Sequence, residues 1–236
     1  MIKGGKLARI LKSPYYQKGL LRHRVAAGVE HARVLSGIDC RTVVDIGANR
    51  GQFALVARQC QPLARVFSFE PLPGAAAKFR AVFASDDRVT LHEVAIGPVS
   101  GNATLHVSER DDSSSLLPIT ATQVALFPGT VEVSTAIVRV APLHEFIPAA
   151  DILPLALLKL DVQGFELEAL RGCEDLLDRF ACVYAECSFV ELYAGQALAD
   201  EVIAWLSARG FNLQGEHNTV YDRDGRAIQA DFLFAR

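Results

Sequence analysis

The sequence lacks any hydrophobic run of the roughly 18 residues that a membrane-spanning helix needs. Its apolar stretch LPLALL, at positions 153–158, is far too short. The first residues also lack the apolar core and the small-residue cleavage site of a signal peptide. These absences predict a cytoplasmic protein.

Cysteine is scarce, and its arrangement excludes a common class of metal site. The five cysteines are odd in number and form no C-x-x-C pair. A zinc site needs a cluster of cysteine and histidine, and the sequence contains none. Cys182 and Cys187 fall in a stretch typical of a buried strand, so we expect core thiols in a reducing compartment.

The sequence has acids that could hold a hard cation. Four of them are expected near a cleft: Asp111, Asp112, Asp161 and Glu166. No ligand spacing demands a cation. We therefore assign no metal ligands, and the sequence leaves open whether a metal is needed.

The 236 residues are 50% hydrophobic and 22% charged, which suits one large α/β domain. Charge is unevenly spread along them. Residues 1–41 carry nine lysines and arginines against two acids, a net charge of +7. Because the whole chain carries −3, the remainder carries −10. We predict a basic N-terminal helical arm over 1–41, with its main helix over 14–35, and a domain over 42–236.

The basic arm could contact a phosphate, an anionic glycan or a membrane surface. The alternative is that its cations form an ordinary solvated helix face. Nucleic-acid binding is not expected, because the acidic domain lacks basic stripes with interleaved aromatic residues.

After the arm, β-rich and helical patterns alternate. In order they are TVVDI (42–46), QFALVARQC (52–60), ARVFSFE (64–70), PGAAAKFRAVFA (73–84) and RVTLHEVAI (88–96). This β-α-β-α-β order predicts a parallel sheet with right-handed crossovers. The strands are nearly continuous apolar runs, as expected when helices cover both faces.

The middle of the chain differs from this rhythm. Two alternating, exposed strands (102–108 and 136–143) flank a polar segment over 109–123. We expect this segment to cross the carboxyl edge of the sheet, where open α/β folds bind ligands.

After this segment, strand and helix patterns alternate again. Its predicted elements are a strand at 154–162, a helix over 165–177, a strand at 180–187, a helix over 197–210 and two closing strands at 211–217 and 230–236. Asp224-Gly225, between the last two strands, is a strong hairpin signal. The sheet is therefore predicted to end in an antiparallel pair.

The segment VVDIGANRGQFAL, at 43–55, is the strongest local motif. Gly47 and Gly51 would let backbone approach a ligand, and the helix that follows would offer free N–H groups. The G-x-x-x-G spacing differs from the G-x-G-x-x-G of dinucleotide sites. Asp45 would repel a pyrophosphate but suits a cationic group such as an amino acid ammonium.

Glu70 ends the second strand, where an acid accepts hydrogen bonds from both ribose hydroxyls. This position indicates adenosine but does not separate S-adenosylmethionine from NAD. Ala95 and Ile96, at the end of the third predicted strand, are expected to line the adenine pocket. Together with Asp45 and the glycine pair, these residues favour S-adenosylmethionine.

Asp161 ends the next central strand, beside the expected ligand position. It could orient the cofactor or the acceptor, or assist proton removal. His144 and His217 are further candidates for the base. Glu166, in the first turn of a helix, is explained equally well by capping.

Four blocks of the sequence resemble the FkbM family of S-adenosylmethionine-dependent methyltransferases: VVDIGANRGQFAL, FSFEP, LLKLDVQGFELEALRG and ADFLFAR. The resemblance runs from Thr42 to the C-terminus and leaves the basic arm uncovered. The motif D-x-G-A-N-x-G is matched at Asp45, Gly47, Ala48, Asn49 and Gly51. The block K-x-D-x-E-G-x-E is matched at Lys159, Asp161, Gly164 and Glu166, and Gln163 stands where the family usually has Glu.

The resemblance implies a Rossmann-like class I methyltransferase fold, with a mostly parallel seven-stranded sheet and a C-terminal antiparallel hairpin. It also implies O-methylation of a hydroxyl on a sugar, polyketide or related metabolite. The predicted cofactor-binding residues are Asp45, Gly47, Asn49, Gly51, Glu70, Ala95, Ile96 and Asp161. The predicted catalytic residues are Asp161 and His144, with the acceptor under residues 111–115 unless that segment is only a solvated loop.

Two other functions stay open from the sequence. An NAD-dependent dehydrogenase shares the strand-turn-helix and the ribose acid, although the glycine spacing and the closing hairpin disfavour it. A non-catalytic binding module with the same fold is the second alternative, and Gln163 keeps it open.

Overall fold

The central sheet has seven strands, in a computed structural model that describes residues 4–236. Lys3 of the predicted basic arm lies outside the described residues. In sheet order the strands are β3 (Val89–His92), β2 (Arg65–Phe69), β1 (Thr42–Ile46), β7 (Ala156–Leu160), β8 (Phe180–Ser188), β10 (Ala227–Ala235) and β9 (Asn212–Tyr221). The first five are parallel, and β10 runs antiparallel to both of its neighbours. The predicted sheet and its closing hairpin are confirmed.

A second, three-stranded sheet stands beside the first. It consists of β4 (Ala95–Ile96), β6 (Glu132–Ala141) and β5 (Gly101–Ser108). The prediction of one third strand over 88–96 was therefore wrong at its end. Ala95 and Ile96 leave the main sheet and pair with Val140 and Ala141. The pattern of apolar and polar residues over 88–96 does not mark such a change of sheet.

Eight α-helices cover the sheets in the described part of the chain. They are α1 (Gly4–Ile10), α2 (Pro14–His23), α3 (Ala32–Ser36), α4 (Gln52–Cys60), α5 (Pro73–Phe83), α6 (Ala121–Leu126), α7 (Glu166–Gly172) and α8 (Ala199–Ser207). The predicted helix over 165–177 ends early, and a 3₁₀ turn over Glu174–Arg179 follows it.

The single helix predicted over 14–35 is also wrong. Helix α2 ends at His23, and Arg24 takes a left-handed conformation with a φ of 58°. A segment without regular secondary structure follows, and it buries Val25 and Ala27. Both side chains belong to the same apolar cluster as Phe53 and Leu55 of α4.

The core has one apolar layer on each face of the main sheet. Val44 and Ile46 of β1 enter one layer, whereas Val43 enters the other. Ile10 and Leu35 of the N-terminal segment belong to the layer of Val43, together with helix α4. The basic arm is thus packed on the domain.

Candidate active site

One large cleft, of about 1420 Å³, opens along the carboxyl ends of the parallel strands. Its wall combines residues that are far apart in the chain. They come from the β1–α4 turn, from Glu70 after β2, from β4, from Asp161–Gln163 after β7, from Glu186 of β8 and from Asp231 of β10. Residues of the N-terminal segment and of the 110–116 loop complete the wall.

The β1–α4 turn is shaped by its two glycines. Gly47 has a φ of 78°, and a Cβ there would lie 1.8 Å from the carbonyl oxygen of Asp161. Gly51 has a φ of 92°, and its Cβ would lie 2.5 Å from the ring of Phe83. Gly47 lines the cleft and Gly51 does not. Gly51 is therefore explained by packing within the chain and by its left-handed backbone.

The N–H groups of the turn itself are bonded within the chain, whereas the expectation of free N–H groups concerned the helix that follows. The N–H groups of Gly47 and Ala48 donate to the carbonyl of Phe69, and that of Gly51 donates to Ala48. Asn49 N donates to Glu70 Oε2 at 2.8 Å, and the N–H of the next residue donates to Asn49 Oδ1. A pyrophosphate would find these five donors already used.

Asp45 lies behind the turn, fully buried and outside the cleft wall. Its cationic neighbour is Lys159, whose Nζ is 2.9 Å from Asp45 Oδ1 and donates to Gly47 O at 3.1 Å. Burial alone would lower the pKa of Lys159, but the carboxylate of Asp45 raises it above its ordinary value. The Asp45–Lys159 pair thus holds the carbonyl oxygen of Gly47 from the buried side of the turn.

Glu70 is buried and faces the cleft. Its Oε2 accepts from Asn49 N at 2.8 Å, and its Oε1 accepts from Leu72 N at 2.7 Å. Each carboxylate oxygen keeps a lone pair for a further donor. Burial raises the pKa of Glu70 to about 7, although the two backbone hydrogen bonds oppose this shift.

Beyond Glu70, the cleft wall becomes apolar. Ala95 and Ile96 line it, as predicted for an adenine pocket, and Leu105 of β5 adjoins them. Across the cleft, Arg50 Nε donates to Asp111 Oδ2 at 2.8 Å and ties the 110–116 loop to the turn.

The 111–115 segment is anchored rather than freely solvated. Ser113 and Ser115 are buried, and Ser115 Oγ donates to the carbonyl of Gln163 at 2.7 Å. The 111–115 segment therefore packs against the carboxyl end of β7.

At the centre of the cleft lie Asp161, Gln163 and Glu186. Gln163 Nε2 donates to Asp161 Oδ1 at 2.6 Å and to Glu186 Oε2 at 3.1 Å. Gln229 Nε2 donates to Glu186 Oε1 at 2.8 Å. Burial raises the pKa of Asp161, and it raises that of Glu186 well above its usual range with the help of the neighbouring carboxylates.

The far end of the cleft holds a network built on Asp231. Its Oδ2 accepts from Tyr184 OH at 2.9 Å and from Asn218 Nδ2 at 2.7 Å, and His31 Nδ1 lies 3.4 Å away. Although burial would raise the pKa of Asp231, the partners His31, Asn218 and Tyr184 lower it. Sequence reasoning missed Glu186, Asp231 and His31, because nothing local marks residues that only the sheet order brings together.

Two predicted residues have other surroundings. His144 lies outside the cleft, in a small surface depression beside Trp205, with its Nδ1 2.9 Å from Asp175 Oδ2. Glu166 Oε1 accepts from Val162 N at 3.0 Å and from Gly164 N at 3.2 Å. Glu166 thus closes the loop after β7 and does not line the cleft.

Residues 4–236 contain no group of three or more His, Cys, Asp or Glu side chains that could hold a metal ion. Within the same range, no helix has the length and apolar character needed to cross a membrane.

The sequence is similar to those of known proteins. The model of the methyltransferase FkbM domain matches residues 45–213. The 2-O-methyltransferase NoeI of Sinorhizobium fredii is 32% identical over 65% of this chain, and the chain spans 66% of that relative. The 31-O-demethyl-FK506 methyltransferase FkbM of Streptomyces tacrolimicus is 29% identical over 78% of this chain and 79% of its own length. Among solved structures, Aeropyrum pernix fibrillarin is 11% identical, with a TM-score of 0.47, over 86% of this chain and 73% of that one.

Proposed function

Because the chain belongs to the FkbM family of methyltransferases, we propose that its cleft binds S-adenosylmethionine and directs methyl transfer to a hydroxyl group of a sugar or secondary metabolite. The observation that carries this proposal is that Glu70 and Asp161 line one continuous cleft. An adenosyl group at Glu70 would extend past Gly47 toward Asp161.

The residues around Glu70 fit an adenosyl ligand. The two carboxylate oxygens, each with a spare lone pair, match the two hydroxyl donors of a ribose. Ala95 and Ile96 supply an apolar wall for the adenine. Asp45 contributes from behind the turn by holding Lys159, while Gly47 and Asn49 form the surface next to the ligand.

A dinucleotide fits less well. Its pyrophosphate needs unpaired N–H groups at the β1–α4 turn, and those of residues 47–51 are bonded within the chain. This contact pattern supports a methyl donor over NAD.

S-adenosylmethionine, when bound, supplies an activated methyl group and a sulfur that keeps the electron pair of the broken C–S bond. The protein has to align the acceptor oxygen and receive its proton. Asp161 serves both purposes, because its Oδ1 is held by Gln163 while its side chain is 37% exposed in the cleft. Its Oδ2, 3.9 Å from Lys159 Nζ, is the atom that takes the proton.

The acceptor lies toward Glu186, Gln229 and Asp231. Carboxylates and amides of this kind hydrogen bond to hydroxyl groups. The printed names of the relatives from Sinorhizobium fredii and Streptomyces tacrolimicus both describe O-methylation, which supports a hydroxyl acceptor here.

The replacement Asp161→Asn tests this assignment. The amide keeps the shape of the side chain but cannot accept a proton, so we expect turnover to fall by about 10²–10⁴-fold. Affinity for S-adenosylhomocysteine should change little. The measurement is transfer of labelled methyl from S-adenosylmethionine to a panel of sugars and hydroxylated metabolites, with calorimetry of cofactor binding.

The matched control is Asp87→Asn, which changes an exposed acid on the turn before β3. It should leave turnover unchanged. Full activity of Asp161→Asn would remove Asp161 from the mechanism.

A further inference from the structure

The backbone of Gln163 is held in an uncommon conformation. It has a φ of 55°, and the next residue, Gly164, has a φ of 93°. Ser115 Oγ donates to the carbonyl of Gln163 at 2.7 Å. A Cβ on Gly164 would lie 3.0 Å from the side chain of Tyr193, so the loop has little room to shift. The side chain of Gln163 is therefore aimed by a fixed loop.

The two ends of the Gln163 amide have different partners. Tyr193 OH donates to Oε1 at 2.8 Å. On the other end, Nε2 lies 2.6 Å from Asp161 Oδ1 and 3.1 Å from Glu186 Oε2. A carboxyl oxygen that carries no proton only accepts hydrogen bonds, so the amide nitrogen faces these oxygens and the amide oxygen faces the hydroxyl. The amide uses both of its N–H donors in this way.

The two hydrogen bonds of Gln163 Nε2 to Asp161 and Glu186, here called the bridge, lie among charged groups. Asp161 and Glu186 are carboxylates in one half-buried cluster, and Asp161 helps to raise the pKa of Glu186. Groups in this arrangement commonly share a proton or bind a cation. The other charged groups that face the pair are Lys159, Asp231, His31 and Glu166. Two amide donors lower the electrostatic cost without adding charge.

We propose that Gln163 is the positioning residue of the reaction centre. Its amide nitrogen takes the place between Asp161 and Glu186 that a shared proton or divalent cation would otherwise occupy, and leaves Asp161 Oδ2 free for the acceptor. The role of that free oxygen rests on the proposed function, whereas the bridge itself does not.

A glutamate at this position would reverse the interaction. A carboxylate oxygen would replace Nε2 and meet two other carboxylates at hydrogen-bonding distance. Three carboxylates would then converge without a donor among them. Such a cluster must take up a proton or bind a cation such as Mn²⁺.

Gln163→Glu therefore has a defined signature in thermal unfolding. The new carboxyl would be half-buried and would face two carboxylates, so its pKa in the folded state is raised and its effect on stability becomes less favourable as the pH rises. We expect the Tm to fall by about 5 °C more than that of wild type between pH 6 and pH 8. At pH 8, Mn²⁺ should restore the Tm of the variant and leave that of wild type unchanged.

The control is Gln214→Glu, which adds the same charge at an exposed position of β9. It should follow wild type at both pH values and show no response to Mn²⁺. If Gln163→Glu does not fold at pH 8, recovery of folding at pH 6 or with Mn²⁺ is the expected result. A second variant, Gln163→Met, removes the donors without adding charge, and its Tm should fall more with rising pH than that of wild type.

The proposal is overturned if Gln163→Glu and Gln163→Met both follow wild type from pH 6 to pH 8 without a response to Mn²⁺. S-adenosylhomocysteine, added to wild type in the same experiment, separates the two claims. If S-adenosylhomocysteine does not raise the Tm of wild type, the proposed function is contradicted. The bridge is then still tested by how the Tm of the Gln163 variants responds to pH and Mn²⁺.

Discussion

At the scale of single residues, the cleft shows how a carboxylate's role depends on its partners. Asp45 has a lysine beside it and lies behind the wall, whereas Glu70 has two backbone donors and faces the cleft. The sequence predicted both acids as cofactor residues. It could not show that Lys159 supplies the cation next to Asp45, because Asp45 and Lys159 meet only through the pairing of β1 with β7.

The proposed contact of Glu70 with the ribose should make cofactor binding dependent on pH. Burial raises its pKa to about 7, and only the ionised carboxylate accepts from both ribose hydroxyls. The affinity for S-adenosylhomocysteine should therefore fall as the pH falls through this value, by about tenfold per unit below it. Calorimetric titrations between pH 5.5 and pH 7.5 measure this dependence.

Glu70→Gln is the matched variant, because its amide has no proton to gain in this range. It should bind more weakly at pH 7.5 and show little change with pH. A wild-type affinity that is the same at pH 5.5 and pH 7.5 would contradict the role given to the ionised carboxylate.

At the scale of elements, a close contact joins the two sheets through α7. Gly172, the last residue of α7, lies against Gly97, which follows β4. A Cβ on Gly172 would be 2.6 Å from the backbone of Gly97. Because β4 carries Ala95 and Ile96, this contact also fixes the apolar wall of the cleft.

Gly172→Ala should destabilise the protein by about 1–3 kcal/mol, because the added methyl meets backbone that cannot give way easily. Gly74→Ala is the control: Gly74 lies in the first turn of α5, and a Cβ there meets nothing within 4 Å. It should be neutral or stabilise by about 0.5–1 kcal/mol. Urea unfolding of both variants gives the comparison, and equal effects would refute the close contact.

The sequence predicted the boundaries of some elements correctly and those of others wrongly. Buried parallel strands such as β1 and β7 were clear, because a short, continuous apolar run is typical of a strand that helices cover on both faces. The helix predicted over 14–35 was wrong, because an apolar spacing suited to a helix also occurs where an irregular segment buries Val25 and Ala27. Periodicity alone does not separate these cases.

At the scale of the whole molecule, the order of the strands creates the cleft. It brings the ends of β1, β2, β7, β8 and β10 to one edge, so that residues more than 150 positions apart share a wall. The sequence indicated the cofactor side of this cleft through the motifs near Asp45 and Glu70. The acceptor side was not predictable, because His31, Glu186 and Asp231 have no common motif. Contact of the basic arm with an anionic surface stays a prediction.

The central claim is that this cleft holds an adenosyl amino acid rather than a dinucleotide. The most direct test is a calorimetric titration of wild type with S-adenosylhomocysteine and, separately, with NADH at pH 7.5. We expect S-adenosylhomocysteine to bind at one site per chain and NADH to give no binding heat. Binding of NADH without binding of S-adenosylhomocysteine, or binding of neither, would contradict the account.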